Sequence, residues 1–232
     1  MKQITDAVRI QMINWPIRYV WPLGLLLTVL LLNLAIFSLA SSAIDVDSRF
    51  TGAILSVYVT AGIIYLISIT NVFPFALGFG VTRRAYYSAV VLLVVVESMA
   101  YGALMLLLCL LERATGGWGL HLQFFDLQFL RQPDLLLQWL VYTAPFVAIA
   151  AMFAFIGVIY NRWGQIGVWT QILAATVLLG GLIVLVTWYG WWPAVGEWFA
   201  GQPTTALFGG YPLAFAVAAL GVGWFALRRA TA

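Results

Sequence analysis

Charged residues in this chain fall in short clusters separated by apolar runs of about 20 residues, the length a helix needs to cross a hydrocarbon core of about 30 Å. Inside lipid every backbone amide needs an internal partner, so such runs are helical or belong to a closed barrel. A barrel strand would show about 10 residues of alternating polarity. Residues 90–96 and 104–111 do not alternate, and helices are expected. Charged side chains make up 8% of the chain, against roughly 25% in soluble domains, which places it outside that class.

The expected fold class is therefore all-α. It is a polytopic membrane protein with six transmembrane helices, at roughly 19–39, 53–74, 89–111, 136–159, 168–188 and 205–227. An N-terminal amphipathic interfacial helix in residues 1–18 precedes a six-helix transmembrane domain in residues 19–232. The small residues Ala40, Ser41, Ser42 and Ala43 resemble a signal-peptide cleavage site. The apolar run before them, about 20 residues, exceeds the 7–15 typical of a signal core, so an uncleaved first helix is expected.

Basic residues accumulate on the cytoplasmic side of membrane proteins. With the N-terminus inside, the inner segments hold Lys2, Arg9, Arg18, Arg83, Arg84, Arg162, Arg228 and Arg229, and the outer ones only Arg49, Arg113 and Arg131. The acids lean the other way: Asp45, Asp47, Glu112, Asp126, Asp134 and Glu197 lie outside and Asp6 inside. This asymmetry accounts for a pI near 9.2 without any nucleic-acid partner. Both termini are expected in the cytoplasm.

Within residues 1–18, Ile4, Val8, Met12 and Trp15 recur at helical spacing, with Lys2, Asp6 and Arg9 elsewhere on the wheel. The pattern predicts a helix lying in the interface with this face in lipid, ended by Pro16. Between the second and third spans, residues 75–87 combine Gly78 and Gly80, which permit a sharp turn, with Thr82 as the N-cap of a short helix opening at Arg83. Arg83, Arg84, Tyr86 and Tyr87 would make this loop a basic, aromatic surface at headgroup level. Outside, Leu122, Phe125 and Phe129 predict one face of a surface helix after a break at Gly116 and Gly117. The aromatic segment 189–212, interrupted by glycine and proline, predicts a partly re-entrant or interfacial element.

Soluble-enzyme chemistry has little to work with here. One histidine, His121, and one cysteine, Cys109, leave no nucleophile–base pair, disulfide framework or metal site to expect. The only lysine is Lys2, so the Gly-Lys pair of a Walker A phosphate loop is missing and ATP cannot bind by that motif. Glu97 lies well inside the third span, where charge is costly. Two readings stand: a substrate-path or gating residue, or a brace hydrogen-bonded to Ser98, Tyr58 or Tyr65. In the last span Ala214, Ala218 and Gly221 share a face on which helices approach closely.

Taken together, six spans, an amphipathic lead-in helix, inner termini and the run Gly78-Phe79-Gly80-Val81-Thr82-Arg83-Arg84 resemble the permease subunits of type-two ABC transporters, mostly exporters. The resemblance covers essentially the whole chain. It implies that the loop holding Gly78, Gly80, Thr82, Arg83, Arg84, Tyr86 and Tyr87 docks on a separate ABC ATPase subunit. ATP and magnesium would then bind that partner, with no cofactor on this chain. It also implies a second permease copy or paralogue, membrane lipid around both, and a cell-membrane setting, bacterial plasma membrane in particular. The expected cargo is hydrophobic or amphipathic. The alternative is an ATP-independent membrane protein: a regulatory or immunity scaffold, or a proton-coupled transporter using Glu97.

Overall fold

The computed structural model describes residues 2–39 and 50–228. The small-residue stretch 40–43 and the acids Asp45 and Asp47 lie outside the described residues. Eight α-helices occur among the described residues: α1 (Lys2–Met12), α2 (Trp21–Leu39), α3 (Leu55–Ile67), α4 (Phe73–Gly78), α5 (Arg83–Ala114), α6 (Leu135–Trp188), α7 (Trp192–Gly201) and α8 (Tyr211–Arg228). Single π-type turns lead into α2 and α8 and join α3 to α4. Among the described residues, five helical stretches are long and apolar enough to cross a membrane: Pro16–Leu39, Leu55–Gly78, Arg83–Ala114, Leu135–Trp188 and Ala206–Leu227. The protein is helical and membrane-embedded.

The stretch α6 holds 54 residues, which as one straight rod would be about 80 Å long at 1.5 Å per residue. It is not straight. Gly164 takes φ 65°, ψ −159°, a region open essentially to glycine alone, and breaks the helix there. Residues 135–159 supply all the buried positions of α6, and 165–188 supplies none.

Two apolar clusters hold the bundle. One lies at the end carrying α1 and joins Ala7, Ile69, Phe73, Tyr86, Val90, Ala154 and Leu227. The other lies at the opposite end, where Val57, Met105, Tyr142 and Phe146 meet Leu122, Phe124 and Phe125. Close helix approach depends on small residues, as is usual where lipid gives helices no hydrophobic reason to associate. A Cβ built on Gly102 of α5 would lie 3.0 Å from Thr143 Cα of α6, and one on Gly157 of α6 would lie 2.9 Å from Ile69 Cβ. The expected small face of α8 is displaced by about half a turn. Ala214 and Ala218 are exposed, while Ala216, Ala219 and Gly223 pack inward. A Cβ on Gly223 would come within 2.6 Å of Tyr87 Oη.

The lead-in helix differs from expectation in what its apolar face meets. Ile4, Val8 and Met12 are half-buried against the bundle core, with Ala7 and Gln11 fully covered between them. That face therefore rests on protein instead of lipid, and only Trp15 and Ile13 near its end stay exposed. A face with a glutamine at its centre is better matched by the polar groups of neighbouring helices than by acyl chains. Gln11 Oε1 accepts from Ser68 Oγ at 2.9 Å.

Candidate functional site

The turn between α4 and α5 is the most individual surface of the chain. Gly80, at φ 81°, reverses the backbone after α4. Thr82, extended at φ −72°, ψ 147°, caps α5, its hydroxyl accepting from the Ala85 amide at 3.3 Å. The capping expectation stands, but the helix it opens is no short one: it is α5 itself, 32 residues long. Starting six residues earlier than the predicted span, α5 carries the tyrosines into the bundle. Tyr86 is wholly buried and donates to the Ser68 carbonyl at 2.7 Å; Tyr87 is buried too and donates to the Leu220 carbonyl at 2.7 Å. Neither contributes to an exposed aromatic surface, which corrects that reading of the loop. Its exposed members are Phe75, Gly78, Phe79, Gly80, Thr82 and Arg84, with Arg83 half-buried.

Phe75 and Phe79 take up the aromatic role instead. Their rings lie 4.6 Å apart, and both are more than half exposed. Helix α1 leans on the same turn, since Thr82 Oγ1 donates to Gln3 Oε1 at 3.1 Å. Between α1 and the turn runs a groove of about 520 Å³ lined by Gln3, Asp6, Ile10, Ile13, Phe75 and Phe79. A second cavity, of about 680 Å³, is lined by Leu77, Thr82, Arg83, Arg84 and Trp224. The turn is thus an exposed ridge beside which lie an apolar groove and a separate basic pocket.

Glu97 is buried in the bundle, and its partners are specific. Tyr19 donates to Oε1 at 2.8 Å and Tyr65 to Oε2 at 2.5 Å. Arg18 Nε also donates to Oε1, forming an ion pair in which both side chains are almost fully covered. The Arg18 guanidinium lies 5.1 Å from the Tyr65 ring centre, and Tyr101 donates to the Arg18 carbonyl at 3.2 Å. Of the three bracing residues the sequence proposed, Tyr65 is a partner. Tyr58 donates elsewhere, to the Tyr142 carbonyl at 3.2 Å. Arg18, expected only as a basic residue of the inner segment before the first span, is the counter-ion. One signal narrows the choice: an acid inside a span needs a cation, and Arg18, directly before the first span, is one of two cations that abut a span, with Arg228 after the last.

At the far end the segment after α5 folds as a cap without the predicted surface helix. Glu112, almost fully buried, accepts from the backbone amides of Phe124, Phe125 and Asp126 at 3.1, 2.9 and 3.0 Å, and from Trp118 Nε1 at 3.0 Å. A side-chain carboxylate therefore satisfies amides that a helix would have satisfied internally. Leu122 and Phe125 point into the core, while Phe129 stays exposed. Asp126 receives Arg113 at 2.7 Å and Arg131 at 2.5 Å. Burial pushes the Asp126 carboxyl up, but the hydrogen bonds and charges of these two arginines outweigh it and hold the group below the usual carboxylate range. In segment 189–212, Trp191, Trp192, Trp198 and Phe199 are exposed on and beside α7.

No cluster of three metal-ligating side chains occurs among the described residues. No family model, curated protein or solved structure matches the chain.

Proposed function

We propose that this chain is the membrane-spanning permease subunit of a type-two ABC transporter, exporting a hydrophobic or amphipathic compound with energy from a separate ATPase subunit. The observation that carries the reading is the exposed ridge between α4 and α5, braced by α1 and flanked by the Phe75–Phe79 groove. A motion delivered to this ridge reaches the bundle directly. Helix α5 continues from it for 32 residues, and the start of the first membrane stretch, just after α1, is tied through Arg18 to Glu97 at mid-helix. Rigid elements joined at a docking point are what a two-state transport cycle requires.

The reading includes six crossings. Leu140 lies beside Gly209, and Arg162 donates to the Ala226 carbonyl at 3.4 Å, so 135–163 and α8 run in the same direction. The chain between them must return along the bundle, and the apolar helix 165–188 after the Gly164 break is the segment able to do so. Six crossings put α1, the ridge and the end of α8 on one side, the cytoplasmic side by the arginine asymmetry. A second copy or paralogue then supplies the other half of the pathway.

The test is purification of the tagged chain from its native membrane in mild detergent, with co-purifying proteins identified by mass spectrometry. A stoichiometric subunit with a Walker A motif, lost on Phe79→Ser or on joint Arg83→Glu and Arg84→Glu, is expected. An intact, well-expressed chain that brings down no ATPase would overturn the proposal in favour of an ATP-independent membrane protein.

A further inference from the structure

The basic pocket beside the ridge is distinct from its exposed tip, and its chemistry points to a different ligand. Its walls come from three helices: Leu77 in the last turn of α4, Thr82, Arg83 and Arg84 at the start of α5, and Trp224 near the end of α8. All three helices belong to membrane-crossing stretches, and the pocket sits at the ends of those stretches, the depth of lipid headgroups. Two consecutive arginines line it, and no acidic side chain does. Asp6 lines the separate groove beside α1.

We infer that this pocket binds the phosphate of an anionic membrane lipid. Basic pockets between membrane helices on the cytoplasmic side recognise such headgroups, and guanidinium groups pair with phosphate oxygens through parallel N–H donors. Arg84 is exposed, and Arg83 is half-buried beside it. The indole of Trp224 provides the amphipathic wall that aromatic residues give at the membrane–water boundary. The volume, about 680 Å³, lies within the range of small-molecule sites. The inference shares Arg83 and Arg84 with the proposed ATPase contact and takes its side of the membrane from that reading, but it needs no ATPase partner.

The experiment is native mass spectrometry of the purified chain in detergent, titrated with phosphatidylglycerol or phosphatidylcholine of identical acyl chains. The expected result is one tightly held phosphatidylglycerol per chain, favoured about tenfold over phosphatidylcholine. Neutralising Arg84 (Arg84→Gln) should weaken it about fivefold, from the attraction each basic residue exerts on anionic lipid. The joint change with Arg83→Gln should abolish the preference. Trp224→Leu should weaken binding as well while leaving the exposed ridge intact, which separates this site from ATPase docking. If Arg84→Gln does not fold, Arg84→Lys keeps the charge without the forked donor and should give a smaller loss. Equal binding of the two lipids, or a preference untouched by the double change, overturns the inference. So does displacement of the lipid by millimolar inorganic phosphate, which would assign the pocket to a soluble phosphate.

Discussion

Arg18 and Glu97 stand 79 residues apart in the chain and meet as an ion pair buried in the bundle, flanked by Tyr19 and Tyr65. The pair ties the start of the first membrane stretch to the middle of α5. Removing one member leaves the other as an uncompensated buried charge, which costs about 3–5 kcal/mol, whereas replacing both with apolar residues of similar volume is often neutral. Glu97→Gln and Arg18→Met should each lower the unfolding temperature in detergent sharply, and Arg18→Met with Glu97→Met should recover most of the loss. Thermal unfolding followed by size-exclusion chromatography reads this. The double variant also separates the two roles open to Glu97: a stable double variant that no longer transports makes it a pathway residue, and one that transports makes it a brace.

Glu112 is predicted to be the residue on which the cap depends. Glu112→Ala strands three buried amides and the Trp118 indole N–H. Each buried donor left unpaired costs about 1–3 kcal/mol, more than a short irregular segment can absorb. Limited proteolysis should then cut between residues 115 and 134 while α5 and α6 stay protected. Resistance equal to that of the parent protein would contradict the assignment.

The cap should also respond to acid, with a defined sign. Asp126 has its carboxyl pKa lowered by folding, so its contribution to stability is fully present above the ordinary aspartate pKa and is lost as pH falls through the lowered folded value. Protease susceptibility of the cap should therefore be flat at neutral pH and rise only below the ordinary aspartate range. Asp126→Asn should be more susceptible at pH 7 and should show less change on acidification. A cap that loosened between pH 6 and 8 would point to another group.

Gly102 of α5 packs directly against Thr143 of α6. Alanine there would drive its Cβ against the Thr143 backbone, with Thr143 Cα at 3.0 Å, so the helices must part or shift. Overpacking of this kind typically costs about 1–3 kcal/mol. Gly180 on α6 has nothing within 4 Å of an added Cβ, so Gly180→Ala serves as the control and should be neutral or mildly stabilising. Melting both variants side by side checks the contrast.

The positions of the membrane stretches were legible because long apolar runs fix them with little help from tertiary contacts. Residues 19–39 and 205–227 in the sequence reading fall within a few residues of Pro16–Leu39 and Ala206–Leu227 in the structure. Side-chain direction was less legible. Tyr86 and Tyr87 read as surface because the third span was begun at residue 89; beginning it at Arg83 turns both inward. The cap was illegible for a different reason. Nothing local in 122–126 says that its amides will be met by Glu112, since a carboxylate acting in place of a helix leaves no periodicity behind. The Arg18–Glu97 pair has the same character: each residue looks anomalous alone, and only the tertiary fold resolves the two together.

That pairing has a consequence for how the protein is made. Translation at roughly 5–20 residues per second brings Glu97 into existence about 4–16 seconds after Arg18. During that interval the first apolar helix can enter the bilayer, but its leading arginine has no acid to meet and stays with water and headgroups. The first helix is therefore threaded early and seated late. Its N-terminal anchor closes only when the third apolar helix arrives with the matching carboxylate.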